Sequence, residues 1–251
     1  MSVTVASGYT WRNRASTWAQ LLYASRGVMT VHTEAGLWVV PPNQAIWVPA
    51  LVKHSIDMAG RVAVRALYLS SAIRRKLPTT CRVVDVSPLL LELLRRAMRL
   101  RTLDRATPHE RHLIDVLLDQ IEVLPLGPIA LPTPRDPRAA RAAALVRATP
   151  DARHTLADVG REVGASVRTL ERLFKTETGL PFGAWRQRAR LVQALQLMAD
   201  GANVTGAAIG VGYNSTSAFV AAFRRALGRT PGQYFKAPPA SGDIESIGVI
   251  S

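Results

Sequence analysis

Cysteine occurs once in this 251-residue chain, at Cys81, and lysine only four times, at Lys53, Lys76, Lys175 and Lys236. A single cysteine excludes any disulfide within the chain and points to a reducing compartment. No charged, then apolar, leader opens the sequence, and Pro41, Pro42 and Pro49 interrupt its longest apolar stretches. Neither a signal peptide nor a membrane span is therefore expected, and the predicted location is the cytoplasm of a bacterium. Acidic residues are also scarce: 18 Asp and Glu stand against 32 Lys and Arg, giving a net charge of +14 and a pI near 11.2. That excess suits a polyanionic partner or a merely basic surface. The preference for arginine fits phosphate recognition and the codon bias of a GC-rich genome equally well.

What is present divides into two kinds of chain. The first seventy residues hold short alternating apolar runs at 20–23, 28–33, 37–40, 45–48, 55–58 and 62–69, separated by turn clusters such as Ser25-Arg26-Gly27 and Ala59-Gly60. Evenly spaced short strands with such punctuation predict a small sandwich or barrel. Two helices follow. Ser87-Pro88 starts one that reaches about Leu103, and Thr107-Pro108-His109-Glu110 reads as a capping box for another that reaches about Leu124. The second has a wide apolar set, with Leu113, Leu117 and Ile121 available either to pack on the barrel or to face a second copy. Prolines at 125, 128, 132, 134 and 137 mark a semi-extended linker. The small polar tail from 238 to 251 is expected to be disordered.

The last hundred residues contain one pattern twice. Val163, Leu170, Phe174 and Gly179 correspond to Val211, Phe219, Phe223 and Gly228 at offsets of 48, 49, 49 and 49 positions. Each copy reads as a short helix, a glycine turn at Gly164 or Gly212, a serine-led second helix and a glycine-then-proline stop, Gly179-x-Pro181 in the first and Gly228-x-x-Pro231 in the second. In the first copy Thr155 and Asp158 cap the opening helix, and Leu156, Val159 and Val163 give it one buried face. Leu170, Leu173 and Phe174 make the stripe of the second helix and leave Val167, Arg168, Glu171, Arg172 and Lys175 outside. Such a unit places its second helix in the DNA major groove, so two copies imply two groove contacts. An amphipathic helix from Pro181 to about Ala199 joins them, long enough to set them about one DNA turn apart.

These residues resemble the DNA-binding domain of AraC/XylS-type transcriptional regulators across about 138–237. The resemblance is carried by Leu156, Gly164, Ser166, Leu170, Arg172, Phe174, Gly179, Trp185, Arg186, Arg190 and the segment GYNSTSAFVAAFRRALGRTP. It implies base contacts from Arg168, Glu171 and Arg172 in the first unit (155–179) and from Thr216, Ser217 and Val220 in the second (204–228). Thr155, Thr169, Lys175, Arg186, Ser215, Arg224, Arg225 and Arg229 are the phosphate-contact candidates. Gly206 and Gly210 depart from the family pattern by sitting inside a helix, at about 1 kcal/mol each. The second unit is therefore expected to be the looser reader.

The run from Trp18 to Ile56 is similar to the cupin-like sensing domain of one AraC-type subgroup, matching its Pro49 and His54, although Leu51 stands where a glycine is common. Metal-dependent cupin enzymes need several histidines and a carboxylate, and only His32 and His54 fall in these strands, so no metal and no other cofactor is expected. Trp18, Tyr23, Trp38, Trp47 and His54 are the candidates for an effector pocket, while the same aromatics would equally fill a small core. The expected architecture is α+β: a cupin-like β-barrel (1–80), a helical pair serving dimerisation (81–124), the linker (125–137) and an all-α double helix-turn-helix. The expected function is transcription regulation by a non-enzyme, with duplex DNA, a second copy, RNA polymerase and a small-molecule effector as partners. The alternative is a cupin-type enzyme or binding module carrying an accessory DNA-binding domain.

Overall fold

The computed structural model describes residues 3–5, 8, 10–13, 15–42, 44–70, 73, 77–123, 130–151, 154–235 and 248–250. They form two compact units, one of 1–33, 38–128 and 235–251, the other of 34–37 and 129–234. Lys76, residue 124 of the expected helical pair, residues 125–129 of the expected linker, Lys236 and residues 238–247 and 251 of the tail lie outside the described residues.

The first unit is built on two sheets. Its strands are β1 (Val3–Val5), β2 (Thr10–Asn13), β3 (Ala19–Ala24), β4 (Val28–Thr33), β5 (Gly36–Val40), β6 (Gln44–Val48), β7 (His54–Ala59), β8 (Val62–Leu69), β9 (Arg82–Asp85), β10 (Thr102–Leu103) and β12 (Gly248–Ile250); β11 (Ala130–Pro132) belongs to the second unit. One sheet runs β10-β12-β8-β3-β6-β9 with β1 also on β8, and the other runs β5-β4-β7-β2. The six strands read from alternation are all present, with edges within one residue of those expected.

Register decides what each face of the first sheet covers. Leu21 lies opposite Trp47 and Leu67, and Tyr23 opposite Ala45 and Arg65. Leu21, Tyr23, Ala45, Trp47 and Leu67 share one core with Leu90, Leu94, Ala97 and Met98 of helix α1 (Pro88–Leu100) and Ile114, Leu117, Leu118 and Ile121 of helix α2 (Pro108–Val123). The alternate residues Gln20, Leu22, Ile46 and Val48 take the opposite, inter-sheet face, as a period of two requires. Two sequence expectations are corrected here. Leu117 is fully buried and Ile121 nearly so within the chain's own helix–sheet core, so they are not free to face a second copy. The tail is not disordered throughout, because Gly248–Ile250 adds a strand parallel to β8 and to β10. Val249 N donates to Arg101 O at 2.7 Å, and Ile250 O accepts from Ser70 N at 3.0 Å.

Local chemistry explains the helix starts. The Ser87 hydroxyl accepts from Leu90 N at 3.1 Å, and Pro88 occupies the first turn of α1, where a missing N–H costs nothing. The expected box before α2 forms differently, since Glu110 Oε2 accepts from Asp104 N at 2.7 Å. Leu51 has φ 66, a left-handed backbone that glycine adopts without strain, which accounts for the glycine common at this position in the subgroup.

The second unit is helical: α3 (Pro137–Ala148), α4 (Leu156–Val163), α5 (Val167–Thr178), α6 (Phe182–Ala199), α7 (Val204–Gly210), α8 (Thr216–Leu227) and α9 (Pro231–Tyr234). Helix α3 begins inside the span expected to be linker. Asp136 caps it by accepting from Arg138 N at 2.9 Å, and Ala139, Ala142, Ala143 and Val146 form its buried stripe.

Two outcomes are expected. Leu117→Ala should cost about 2–5 kcal/mol in urea unfolding, as a large-to-small change in a closed core does. A charged residue there should prevent folding rather than release monomers, and a folded Leu117→Asp chain would contradict this placement. The Asp136 carboxyl is held down to about 2 from 3.8, first by its side-chain hydrogen bond from Arg138. Because the folded pKa is the lower one, its contribution is present above about pH 4 and is lost as pH falls towards 2. Asp136→Asn keeps a capping oxygen but cannot titrate. The difference in melting temperature between the two chains should therefore close across that window, and a constant difference would show that Asp136 does not titrate there.

Candidate nucleic-acid interface

Each helix-turn-helix is assembled from caps, a left-handed glycine and an aromatic floor. In the first unit Thr155 and Asp158 make a reciprocal box: Asp158 N donates to Thr155 Oγ1 at 3.2 Å, and Thr155 N donates to Asp158 Oδ2 at 2.9 Å. Gly164 ends α4 with φ 70, and Ser166 opens α5 by accepting from Thr169 N at 3.1 Å. Gly160, to which sequence reasoning gave no role, allows the close turn. A Cβ there would stand 2.5 Å from Ala165 O. Leu170, Leu173 and Phe174 are buried, and Arg168, Glu171, Arg172 and Lys175 are exposed. Phe174 meets Phe182 and Trp185 edge-on at 5.0 and 5.2 Å, joining α5 to α6.

The second unit repeats this construction with different surface chemistry. Asn203 caps α7 by accepting from Gly206 N at 2.7 Å, Gly212 turns the chain at φ 80, and Ser215 accepts from Ala218 N at 3.2 Å. Tyr213, Phe219, Phe223 and Tyr234 form a chain of edge-on contacts at 5.3 to 5.6 Å. Ser217 and Ala221 are exposed, and Val220 is half-buried. The Thr216 hydroxyl donates to that of Thr205 at 3.3 Å, tying α8 to α7.

Several candidates carry structural duties that spacing alone did not disclose. Glu171 Oε2 accepts from Phe182 N at 3.4 Å, at the start of α6, which has no side-chain cap of its own. Arg186 lies over the Phe182 ring and donates through Nη1 to His154 O at 2.7 Å. The hydroxyls of Thr155, Thr169 and Ser215 serve as cap partners. Arg168, Arg172, Lys175, Arg224, Arg225 and Arg229 are exposed cations on or beside α5 and α8. Trp185 Nε1 and Arg188 Nη1 donate to Pro132 O and Ala130 O at 2.8 and 3.0 Å, and Arg190 Nε donates to Pro150 O at 2.9 Å. The flanks of α6 are thereby fixed.

The five effector-pocket candidates are not brought together. Tyr23 and Trp47 face α1 and α2, and Trp47 Nε1 donates to Pro78 O at 2.8 Å. Trp38 is buried, Trp18 is half-buried, and His54 lies on β7 with Nδ1 2.9 Å from Val52 O. Thr33 pairs with His54, and His32 with Ser55. The two histidines therefore point to opposite faces of one sheet and cannot ligate a common ion. His32 Nε2 instead lies 2.7 Å from Asp57 Oδ2.

Two helix-turn-helix units on one helical frame, with exposed arginines on a recognition helix, define a duplex-DNA-binding domain. A helix-turn-helix domain model matches residues 159–237. The chain is 36% identical over 216 residues to the HTH-type transcriptional regulator NimR of Escherichia coli, covering 86% of this chain and 78% of that protein. It is 38% identical over 107 residues to the regulator RipA of Corynebacterium glutamicum, 41% of this chain and 32% of that one. A solved AraC-type regulator structure from Chromobacterium violaceum is 27% identical, covers 41% of this chain and 96% of its own, and gives a TM-score of 0.39. The chain belongs to the AraC-type family of helix-turn-helix transcriptional regulators, and it is a DNA-binding regulator of transcription with an N-terminal region built on two β-sheets. Among the described residues no helix is long and apolar enough to cross a membrane.

The paired glycines make a test. Gly206 occupies the position that Asp158 holds in the first unit, where a Cβ is already accommodated within the same cap geometry. Gly206→Ala should raise stability by up to about 1 kcal/mol without changing the bound sequence. Gly212→Ala should lower the melting temperature, because φ is positive and the new Cβ would stand 2.9 Å from Asp151 Cα. A thermal melt giving the same sign for both variants would refute this distinction.

Proposed function

We propose that this regulator reads two neighbouring major-groove segments of one duplex, with α5 as the base-reading helix and α8 as an anchoring helix. The observation that carries this reading is the contrast between the two outward faces. Arg168 and Arg172 stand one helical turn apart on α5, and each suits a bidentate contact to guanine O6 and N7. The face of α8 offers Ser217, Val220 and Ala221, which suit a thymine methyl, with Arg224, Arg225 and Arg229 placed for phosphates. Glu171, which accepts from the start of α6, acts here as a positioning residue rather than a base contact.

In this reading the protein works in the cytoplasm as a homodimer without catalytic activity, engages RNA polymerase, and answers to a small-molecule effector. His32 and His54, on opposite faces of their sheet, disfavour the alternative of a metal-dependent barrel enzyme. The inter-sheet space of the first unit, where Gln20 and His54 supply polar groups among Leu22, Ile46 and Ile56, is the effector's place.

Selection of bound fragments from random duplex DNA tests the reading directly. The expected motif has one sharp half-site and a vaguer one about a helical turn away. Arg172→Ala should cost about 1–3 kcal/mol on that motif and relax preference at one base pair. Equal losses on selected and random DNA would reduce Arg172 to a phosphate contact, and a sharper half-site under α8 would reverse the ranking of the units.

A further inference from the structure

Helix α5 carries two exposed glutamates, Glu171 and Glu177, beside its exposed cations. A carboxylate on a helix that enters a DNA groove is repelled by the phosphates on either side, so its place there calls for a compensating contact. Both carboxylates have one. Glu171 Oε2 accepts from Phe182 N at the start of α6. Glu177 makes the closer attachment: its Oε2 accepts from Arg135 N at 2.6 Å and from Asp136 N at 3.0 Å, 42 and 41 positions back along the chain.

Glu177 sits in the last turn of α5, the end where a helix dipole disfavours negative charge. The same carboxylate lies at the start of α3, where the dipole favours it and where Asp136 N is one of the donors that a helix leaves unpaired. The tertiary contact, not the chemistry of its own helix, accounts for this glutamate. What it holds is itself fixed. Arg188 and Trp185 donate to Ala130 O and Pro132 O, Pro134 is buried, and the Asp136 side chain caps α3. Residues 130–136 are therefore a post to which the far end of α5 is fastened. The near end of α5 is set by the Ser166 cap, and one face by Leu170, Leu173 and Phe174 in the core. A helix held only at its first turn and along one face is free to tilt about that line, and a fastening at its last turn removes the tilt.

We propose that Glu177 is a positioning residue for base reading. By fastening the end of α5 to the start of α3 it sets the tilt of the recognition helix, and with it the reach of Arg168 and Arg172 to base edges. Bidentate contacts to bases need that alignment, and phosphate contacts do not. The proposal rests on α5 being the base-reading helix, and the experiment separates the two.

The test is the ratio of the full chain's affinities for the duplex returned by selection and for random duplex of equal length, at one salt concentration. Glu177→Ala should lower that ratio about five- to tenfold, since lost alignment harms specific contacts alone. Glu177→Gln, which keeps an accepting oxygen, should restore most of it. Linkage makes the coupling reciprocal. The amides of Arg135 and Asp136 should therefore exchange hydrogen several-fold more slowly when the selected duplex binds the unaltered chain, with no such slowing on random duplex or in Glu177→Ala. If Glu177 acted only as a repelling charge, both affinities would rise together, alike in the Ala and Gln variants. If it were only a structural cap, the melting temperature would fall with the ratio unchanged. Either result overturns the proposal, as does exchange at 135 and 136 that is indifferent to the selected duplex. Arg172→Ala, measured alongside, identifies the source of a failure. A ratio that falls in Arg172→Ala and not in Glu177→Ala removes the positioning role alone. A ratio unmoved by Arg172→Ala removes the base-reading assignment of α5 and this proposal with it.

Discussion

The DNA-binding unit depends on the packing of Phe174 against Phe182 and Trp185. Phe174 closes the first recognition helix, and Phe182 and Trp185 open α6, the helix that leads to the second helix-turn-helix. A helix of 18 residues is roughly 27 Å long and bends little, so once its first turn is fixed its far end is fixed as well. The hydrogen bonds from Trp185, Arg186, Arg188 and Arg190 to backbone carbonyls hold its flanks. Spacing between two DNA contacts is therefore a property of one aromatic junction and one rigid element. Loosening the junction would leave both recognition helices intact and still remove their register on the duplex.

Arginine serves two purposes in this frame. Those on α6 are spent on backbone acceptors, which turns charge into rigidity, and those on α5 and α8 remain exposed for the partner. Composition cannot separate the two uses, since both raise the net charge equally. Only the tertiary acceptors at Ala130, Pro150 and His154 distinguish them. The same holds for Glu171, which lies on the outward face of α5 while its carboxylate accepts a hydrogen bond at the start of α6.

Elements governed by local chemistry were legible in the sequence. Strands β3 to β8 announce themselves by alternation and punctuation, and the caps at Ser87, Thr155, Ser166 and Ser215 act within three residues of themselves. Short strands whose only reason to exist is a distant partner were not. β10 has two residues and β12 three; β10 pairs with β12, and β12 in turn pairs with β8. Helix α3 was hidden for another reason, because a stripe of alanines and one valine contrasts weakly with its polar face, and Asp136-Pro137 reads as linker as readily as a cap. Alternation did put Leu21 and Tyr23 on one face, but which face the helices cover is a tertiary fact. That is why Tyr23 and Trp47 stand among the effector-pocket candidates although both pack in the core shared with α1 and α2.

The duplication shows where sequence freedom lies. The two units keep what geometry demands: a capped first helix, a left-handed glycine, a serine cap and buried aromatics at matching positions. They differ where nothing inside the unit sets the choice, with arginines outward on α5 and small side chains on α8. The Asp158 box of the first unit has become a lone Asn203 cap above Gly206 in the second, which removes one reciprocal bond and adds backbone freedom. A recognition helix held by a looser first helix is poorly suited to hydrogen-bond readout, which tolerates little misplacement, and well suited to methyl and phosphate contacts, which tolerate more. In the proposed reading the weaker cap and the blander outward face of the second unit have the same consequence, and precise base reading falls to the first unit.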